Sequence, residues 1–164
     1  MSRTIASPQL VRAASPPTAC PFFYNVLRGR VQDLGRAAGS VAVGLRREVI
    51  APGKQSSPRH AHMAEEEIFV VLRGRGTLLR GEERVAVEAG DVAAFPAGTG
   101  VAHAFVADAA EELEFLSIGE RKDNDAIAYP DSGKLLVASV ADENGEREDR
   151  LGRLQEADYF DGEL

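Results

Sequence analysis

Several features are scarce in this chain of 164 residues, and each absence excludes a class of protein. Tryptophan is absent and Cys20 is the only cysteine, so no internal disulfide can form and nothing ties the chain to an oxidising compartment. No apolar run approaches the roughly 20 residues that a membrane-spanning helix needs. Helix-like apolar spacing is also scarce, whereas 16 glycines and a 44% hydrophobic content are typical of a globular chain with many short strands and turns.

Clusters of basic residues are missing as well. The net charge is −7, and residues 141–164 contribute −6 of it, with nine acidic and three basic residues. The other 140 residues carry 17 acidic and 16 basic residues, so the body of the protein is almost neutral. Because no basic stripe stands out, we expect neither nucleic acid nor an anionic membrane as a partner.

The two ends of the chain differ in composition from the middle. Residues 1–21 are rich in Ser, Ala and Pro and are predicted to form a flexible arm, and 141–164 are predicted to be an acidic tail. The arm lacks the apolar core of a secretory signal. Its arginines, with no acidic residue before Asp33, leave an organelle transit peptide as an alternative, but we favour a cytoplasmic protein. The apolar patch FFYNVL (22–27) is expected to dock on the body or to pair with a sheet edge.

Residues 22–140 are predicted to form one domain, built from short strands that follow one another between turn signals. Val41, Val43 and Leu45 alternate along the first of them, which is strand periodicity. The predicted strands are 40–50, 67–74, 76–80, 84–89, 92–95, 101–107 and 113–119. Such spacing is typical of an antiparallel sandwich or a small barrel. A last strand at 134–140 is expected to close a sheet edge, and 153–164 to form a short helix followed by an arm.

The stretch HAHMAEEE (60–67) holds two of the three histidines. Residues two apart on a strand point to the same face, so His60 and His62 project together. A strand resumes at Glu67, which then heads an inward-facing row, and a buried carboxylate there is costly unless it is paired or bound to a metal. Glu65 and Glu66 fall in the connection and are expected to stay in water. Imidazole suits Zn, Cu, Fe and Ni, and a carboxylate oxygen extends the choice to Mn.

The third histidine, His103, lies in VAHAF with Val101 and Phe105 on the same face of a predicted strand. An isolated histidine of this kind is more often a core or surface residue than a ligand. Here all three histidines fall into one arrangement with a carboxylate, which favours a metal site.

The spacing of these residues resembles the two motifs of the cupin superfamily. The first motif is matched by Gly53, His60-Ala61-His62, Glu67 and Gly74, and the second by Gly90, Pro96, Gly98 and His103. The match covers about residues 40–119, with one extra residue before His60 and two extra residues between Gly98 and His103. Ala107 stands where the second motif ends in Asn, so any role of that Asn is absent.

The resemblance implies an all-β, double-stranded β-helix (jelly-roll) barrel with N- and C-terminal extensions. It also implies one divalent metal ion held by His60, His62, Glu67 and His103, with Zn, Fe, Mn and Ni as candidates. Three functions stay open: a metal-dependent oxygenase, isomerase or lyase acting on a small polar molecule, a small-molecule or sugar-binding module without catalysis, or an assembly protein with a structural metal. We favour the enzyme, and we expect a homodimer. Arg47 and Arg59 lie near the predicted site, but we expect both to be solvated.

Overall fold

The computed structural model describes residues 20–23, 27–141 and 147–162. They form thirteen strands and one short helix, α1 (Leu34–Ala37). The strands are β1 (Cys20–Phe23), β2 (Arg28–Asp33), β3 (Val43–Ile50), β4 (Ala61–His62), β5 (Glu67–Arg73), β6 (Arg75–Arg80), β7 (Glu83–Glu88), β8 (Val92–Phe95), β9 (His103–Ala107), β10 (Leu113–Glu120), β11 (Ala126–Tyr129), β12 (Lys134–Ala141) and β13 (Arg147–Gly152). Most of the predicted flexible arm, residues 1–19, lies outside the described residues.

The strands form three antiparallel sheets, as the prediction of an all-β jelly roll requires. The largest has the order β1-β2-β3-β10-β5-β8, the second β13-β12-β11-β4 and the third β7-β6-β9. The prediction that the FFYNVL patch pairs with a sheet edge is confirmed for its first two residues, since Phe22 and Phe23 lie opposite Gly29 and Arg28.

The core lies inside the barrel, where alternate residues of the strands meet. Phe69 and Val71 of β5 are buried as predicted, together with Phe105 of β9 and Phe115 of β10. A row of this kind arises because successive side chains on a strand point to opposite faces, so one apolar row per strand is enough to fill the interior. No helix in the described part of the chain is long and apolar enough to cross a membrane.

The first predicted strand is present, but the valines whose alternation indicated it do not line the interior. Val41 and Val43, which gave the segment its apolar alternation, are 62% and 46% exposed. The even-numbered residues of β3 line the interior instead, from Glu48 to the fully buried Ile50. The short helix α1 packs against the odd-numbered face of β3, beside Leu45. Its four residues gave no helical pattern from which it could be predicted.

The predictions for the C-terminal region are wrong in two places. β12 does not close an edge, because β13 pairs outside it and supplies the edge strand. The expected helix is not found over 153–162, which have no regular structure up to Asp158 and then a turn. Tyr159 and Phe160 are largely exposed, so this segment has no buried apolar stripe to stabilise a helix.

Candidate metal centre

The backbone brings the two most distant histidines of the site side by side. His60 and His103 form an isolated antiparallel bridge and exchange both hydrogen bonds: the His60 amide donates to the His103 carbonyl at 3.2 Å, and the reverse bond is 2.9 Å. Their ring centroids are 4.8 Å apart. Forty-two residues of sequence lie between them, so the convergence of these two side chains is decided by strand pairing.

All four residues predicted as metal ligands meet around one carboxylate oxygen. The Nε2 atoms of His103, His62 and His60 lie 2.9, 3.3 and 3.8 Å from Glu67 Oε2. Potential ligand atoms of His60, His62 and Glu67 lie within 4.8 Å of one another, so this group could hold a metal ion. His103 adjoins the group through its contact with Glu67.

Hydrogen bonds to the Nδ1 atoms of His60 and His62 decide which nitrogen of each ring is available to a metal. His60 Nδ1 donates to the Pro58 carbonyl at 2.9 Å, and His62 Nδ1 donates to Asp125 Oδ2 at 2.5 Å. Both acceptors are oxygens without a proton to give, so Nδ1 carries the hydrogen and the Nε2 lone pair of the neutral ring is left for a metal. Donor types and tautomers therefore fit a divalent ion.

The charges of the cluster are strongly coupled. Burial by itself would raise the pKa of Glu67, but the hydrogen bonds with His103 and His62 outweigh it and hold that pKa far below its usual value. Burial would also lower the pKa of His62, yet its contacts with Glu67 and Asp125 raise it to about 9. The pKa of His60 is lowered, mainly by burial and then by the neighbouring His103. A positive charge is thus favoured beside Glu67. When no metal is bound, the protonated imidazole of His62 supplies that charge.

Two residues that support His62 were not identified from the sequence. Asp125 is 1% exposed and accepts hydrogen bonds from His62 and from the Ala64 amide at 2.7 Å. Glu65 was expected to lie in water, but its side chain is only 18% exposed, accepts from the Lys122 amide and lies 3.9 Å from His62 Nδ1. The prediction for Glu65 is wrong because the segment 121–125 folds over the bend between β4 and β5. Glu66 is exposed as predicted.

His103 is held in a different way. Its ring stacks on Phe95 with centroids 3.9 Å apart and an interplanar angle of 21°, and it meets the edge of Phe69 at 5.3 Å. Within the described residues its Nδ1 is buried and has no hydrogen-bond partner. Packing and backbone register orient this ring.

A cavity of about 230 Å³, which we call the cluster cavity, opens onto the cluster formed by these histidines and Glu67. Its wall contains His60, Glu67 and His103, together with Glu48 of β3. A second, more polar cavity of about 340 Å³, which we call the vestibule, shares Arg46, Glu67 and Ser117 with the first.

The cations around the site differ in how they are engaged. Arg59 is held by Asp131, and Arg47 by Glu114 at 2.7 Å, so neither is simply solvated as we expected. In the vestibule, Arg121 pairs with Asp33 and Lys122 with Glu120. Arg46 differs from them, because it makes no ion pair or side-chain hydrogen bond with any described residue, and it lies where the two cavities meet.

Comparison with known proteins places this geometry in a family. The profile of the cupin domain matches residues 46–119. A solved structure from Silicibacter pomeroyi, named a sugar phosphate isomerase from a cupin superfamily, is 30% identical, with 76% of each chain covered and a TM-score of 0.68. A structure from Acidithiobacillus ferrooxidans, provisionally named a sugar phosphate isomerase, is 28% identical over 90% of this chain and 97% of its own, with a TM-score of 0.76.

A third structure shares the fold at lower identity. It is a Thermotoga maritima protein described as a predicted oxalate decarboxylase, 24% identical over 70% of this chain and all of its own, with a TM-score of 0.57. A search of the curated proteins found no match. The motif spacing, the jelly-roll sheets and these relatives together show that the chain belongs to the cupin superfamily.

Proposed function

We propose that this cupin binds one divalent metal ion through His60, His62, Glu67 and His103 and catalyses the isomerisation of a small sugar phosphate. The proposal of a metal site is supported by three imidazole Nε2 atoms that lie around Glu67 Oε2. The Nδ1 atoms of His60 and His62 are hydrogen-bonded elsewhere, which leaves Nε2 of both rings for a metal. Imidazole and carboxylate ligands suit Zn, Fe, Mn or Ni. An ion held there would polarise the oxygens of a chelating substrate.

Two observations support the substrate class. The structures from S. pomeroyi and A. ferrooxidans carry the name of sugar phosphate isomerase, and the match to the second covers 90% of this chain. Arg46 offers an unpaired guanidinium where the vestibule meets the cluster cavity. An anionic group in the vestibule would meet that charge while the sugar carbons extend towards Glu67. Guanidinium groups bind phosphate with parallel hydrogen bonds, which favours a phosphorylated substrate over a neutral one.

The experiment begins with anaerobic purification, elemental analysis of the bound metal and reconstitution with Fe(II), Mn(II), Ni(II) or Zn(II). Triose, tetrose, pentose and hexose phosphates, as aldoses and as ketoses, are then assayed for interconversion. We expect turnover of at least one pair, a KM that rises about tenfold or more in Arg46→Gln because a charge-assisted contact is lost, and little change in kcat.

Other outcomes separate the alternatives. Tight binding of sugar phosphates without turnover under all four metals would replace the enzyme by a binding module. Bound Fe together with substrate-dependent consumption of dioxygen would favour an oxygenase. The homodimer and the cytoplasmic location also stay proposals, and a single 17.6 kDa species in light scattering would contradict the dimer.

A further inference from the structure

β3 places a carboxyl group in the cluster cavity that the metal site does not use. Glu48 lies between Val31 of β2 and Phe115 of β10 in the sheet register, and Phe115 points into the core. The wall that contains Glu48 also contains His60, Glu67 and His103. A molecule bound in this cavity of about 230 Å³ is therefore lined by Glu48 as well as by residues of the cluster.

Glu48 has no structural task of its own among the described residues. Its carboxyl group makes no hydrogen bond and no ion pair there, whereas Glu67 is engaged by the histidines and Ser56 Oγ accepts from the Phe105 amide at 3.0 Å. Its cross-strand neighbours Val31 and Phe115 are apolar. A half-buried carboxyl without a partner is costly to keep, so a functional reason for it is expected.

The surroundings of Glu48 suit a group that both takes and gives a proton. Burial raises the pKa of Glu48 to about 7, the positive charge of Arg46 opposes the rise and the negative charge of Glu67 adds to it. The charged and titratable groups on the walls that face it are Arg46 from its own strand, Glu67 from β5, and His60 and His103 from the bridge. A carboxyl that is present in both forms near neutral pH meets the main requirement of acid–base catalysis.

We propose that Glu48 is the catalytic base and acid of this site, which moves a proton between the two carbon atoms whose oxidation states are exchanged. This inference rests on the proposed isomerase function. In the first step the carboxylate takes the proton from the hydroxyl-bearing carbon next to the carbonyl group. The electron pair of that C–H bond forms the C=C bond of an enediolate, and the carbonyl π pair moves to its oxygen.

In the second step the enediolate collapses towards the other carbon. The hydroxyl oxygen of the first carbon loses its proton to the oxygen that was the carbonyl, and its electron pair forms the new C=O bond. The C=C pair takes the proton back from Glu48 onto the neighbouring carbon. No oxidant, reductant or second substrate is consumed, and Glu48 ends as the carboxylate with which it began.

The test compares metal-loaded wild type with Glu48→Gln and Glu66→Gln in heavy water, using the sugar phosphate pair that the wild type interconverts. Glutamine matches the shape of the uncharged carboxyl form that burial favours, so Glu48→Gln should fold and bind metal as the wild type does. We expect deuterium at the transferred position with wild type and Glu66→Gln, and a loss of about 100-fold or more in both kcat and exchange with Glu48→Gln, within the usual range for a general base. Glu66 is an exposed carboxylate on the adjacent connection and serves as the matched control.

Each result has a separate meaning. Turnover by Glu48→Gln within a factor of about three of wild type, at equal metal content, would overturn the role of Glu48 and leave the isomerase intact. A wild type that converts no sugar phosphate would overturn the proposed function and this inference with it. If Glu48→Gln does not fold, Glu48→Asp decides, because its shorter side chain withdraws the carboxyl group from the substrate; an unchanged rate in that variant would contradict the role.

Discussion

The two walls of the metal centre hold their histidines by different means. On one wall, His62 of β4 is fixed by Asp125, a buried carboxylate that precedes β11 and also receives the Ala64 amide. On the other wall, His103 of β9 has no partner for Nδ1 among the described residues and is held by its stack on Phe95 and by its backbone bridge to His60. Polar contacts fix the first ring, whereas packing and register fix the second.

This difference has a chemical consequence for the two rings. The carboxylate behind His62 fixes its tautomer and raises its basicity, as outer partners of metal-binding histidines commonly do. His103 receives no such support, but it is 2% exposed and has little freedom to turn away from Glu67. The contacts of His62 therefore set the basicity of its ring, whereas the packing of His103 fixes the orientation of its ring. Substitutions on the two walls should separate these contributions.

The largest expected effect comes from removing either ring. His62→Ala and His103→Ala should each abolish stoichiometric metal in the purified protein, because each takes one nitrogen from a set of four ligands. Metal content after purification and after reconstitution measures this. Glu66→Ala is the control, since Glu66 is an exposed carboxylate on the same connection, and it should retain the metal. Equal metal content in all three variants would contradict the ligand assignment.

A smaller effect is expected when the support of His62 is changed and the ligand is kept. In Asp125→Asn an amide replaces the carboxylate that fixes His62, so metal affinity should fall about 10- to 100-fold while the ion still binds. Competition with a chromogenic chelator measures the affinity. Asp131→Asn, which alters only an ion pair with Arg59 near the surface, should bind metal as the wild type does. Equal affinities for wild type and Asp125→Asn would show that His62 needs no carboxylate behind it.

The smallest expected effect is a pH dependence of stability in the metal-free protein. The pKa of His62 is raised to about 9 from an ordinary value of 6.5, so folding favours its charged form. That stabilisation is fully present below pH 6.5 and is lost as the pH rises through 9. The pKa of Glu48 is raised from 4.5 to about 7, so its contribution to the free energy of unfolding also falls with rising pH, but between these lower pH values.

Urea unfolding in the presence of a chelator separates these two contributions. Between about pH 7.5 and 9 the free energy of unfolding should fall in wild type and much less in His62→Gln, because the raised pKa of His62 makes that side chain lose its proton over this interval. A wild-type stability that rises over this interval would contradict the contacts assigned to His62. Metal binding removes the effect, since the ion takes the place of the proton.

The parts of the site that sequence patterns predicted are those set by local geometry. The alternation of His60 and His62 and the inward row headed by Glu67 both follow from residues close together in the chain, and both are present. The motif glycines Gly74 and Gly90 stand at positions with positive φ. The conformation of these glycines, with φ of 83° and 100°, is one that other residues rarely adopt.

The parts that patterns missed depend on pairings between distant segments. The alternating valines predicted β3 correctly as a strand, but they lie on its exposed face, which hid Glu48 and Arg46 on the face that lines the cavities. Asp125 was missed because its partner His62 is 63 residues away and no local spacing links the two. The tail gave no sign of β13, whose pairing with β12 determines which strand is the edge.

The amino-acid sequence alone established that this chain is an all-β protein with a histidine and glutamate cluster, because strand periodicity and motif spacing are local properties. Tertiary structure decided what surrounds the cluster: the carboxylate behind His62, the aromatic ring beneath His103, the unpaired Arg46 and the carboxyl group of Glu48. Those contacts arise only when sheets close into a barrel, since closure sets which face of each strand turns inward and which distant residues share a cavity.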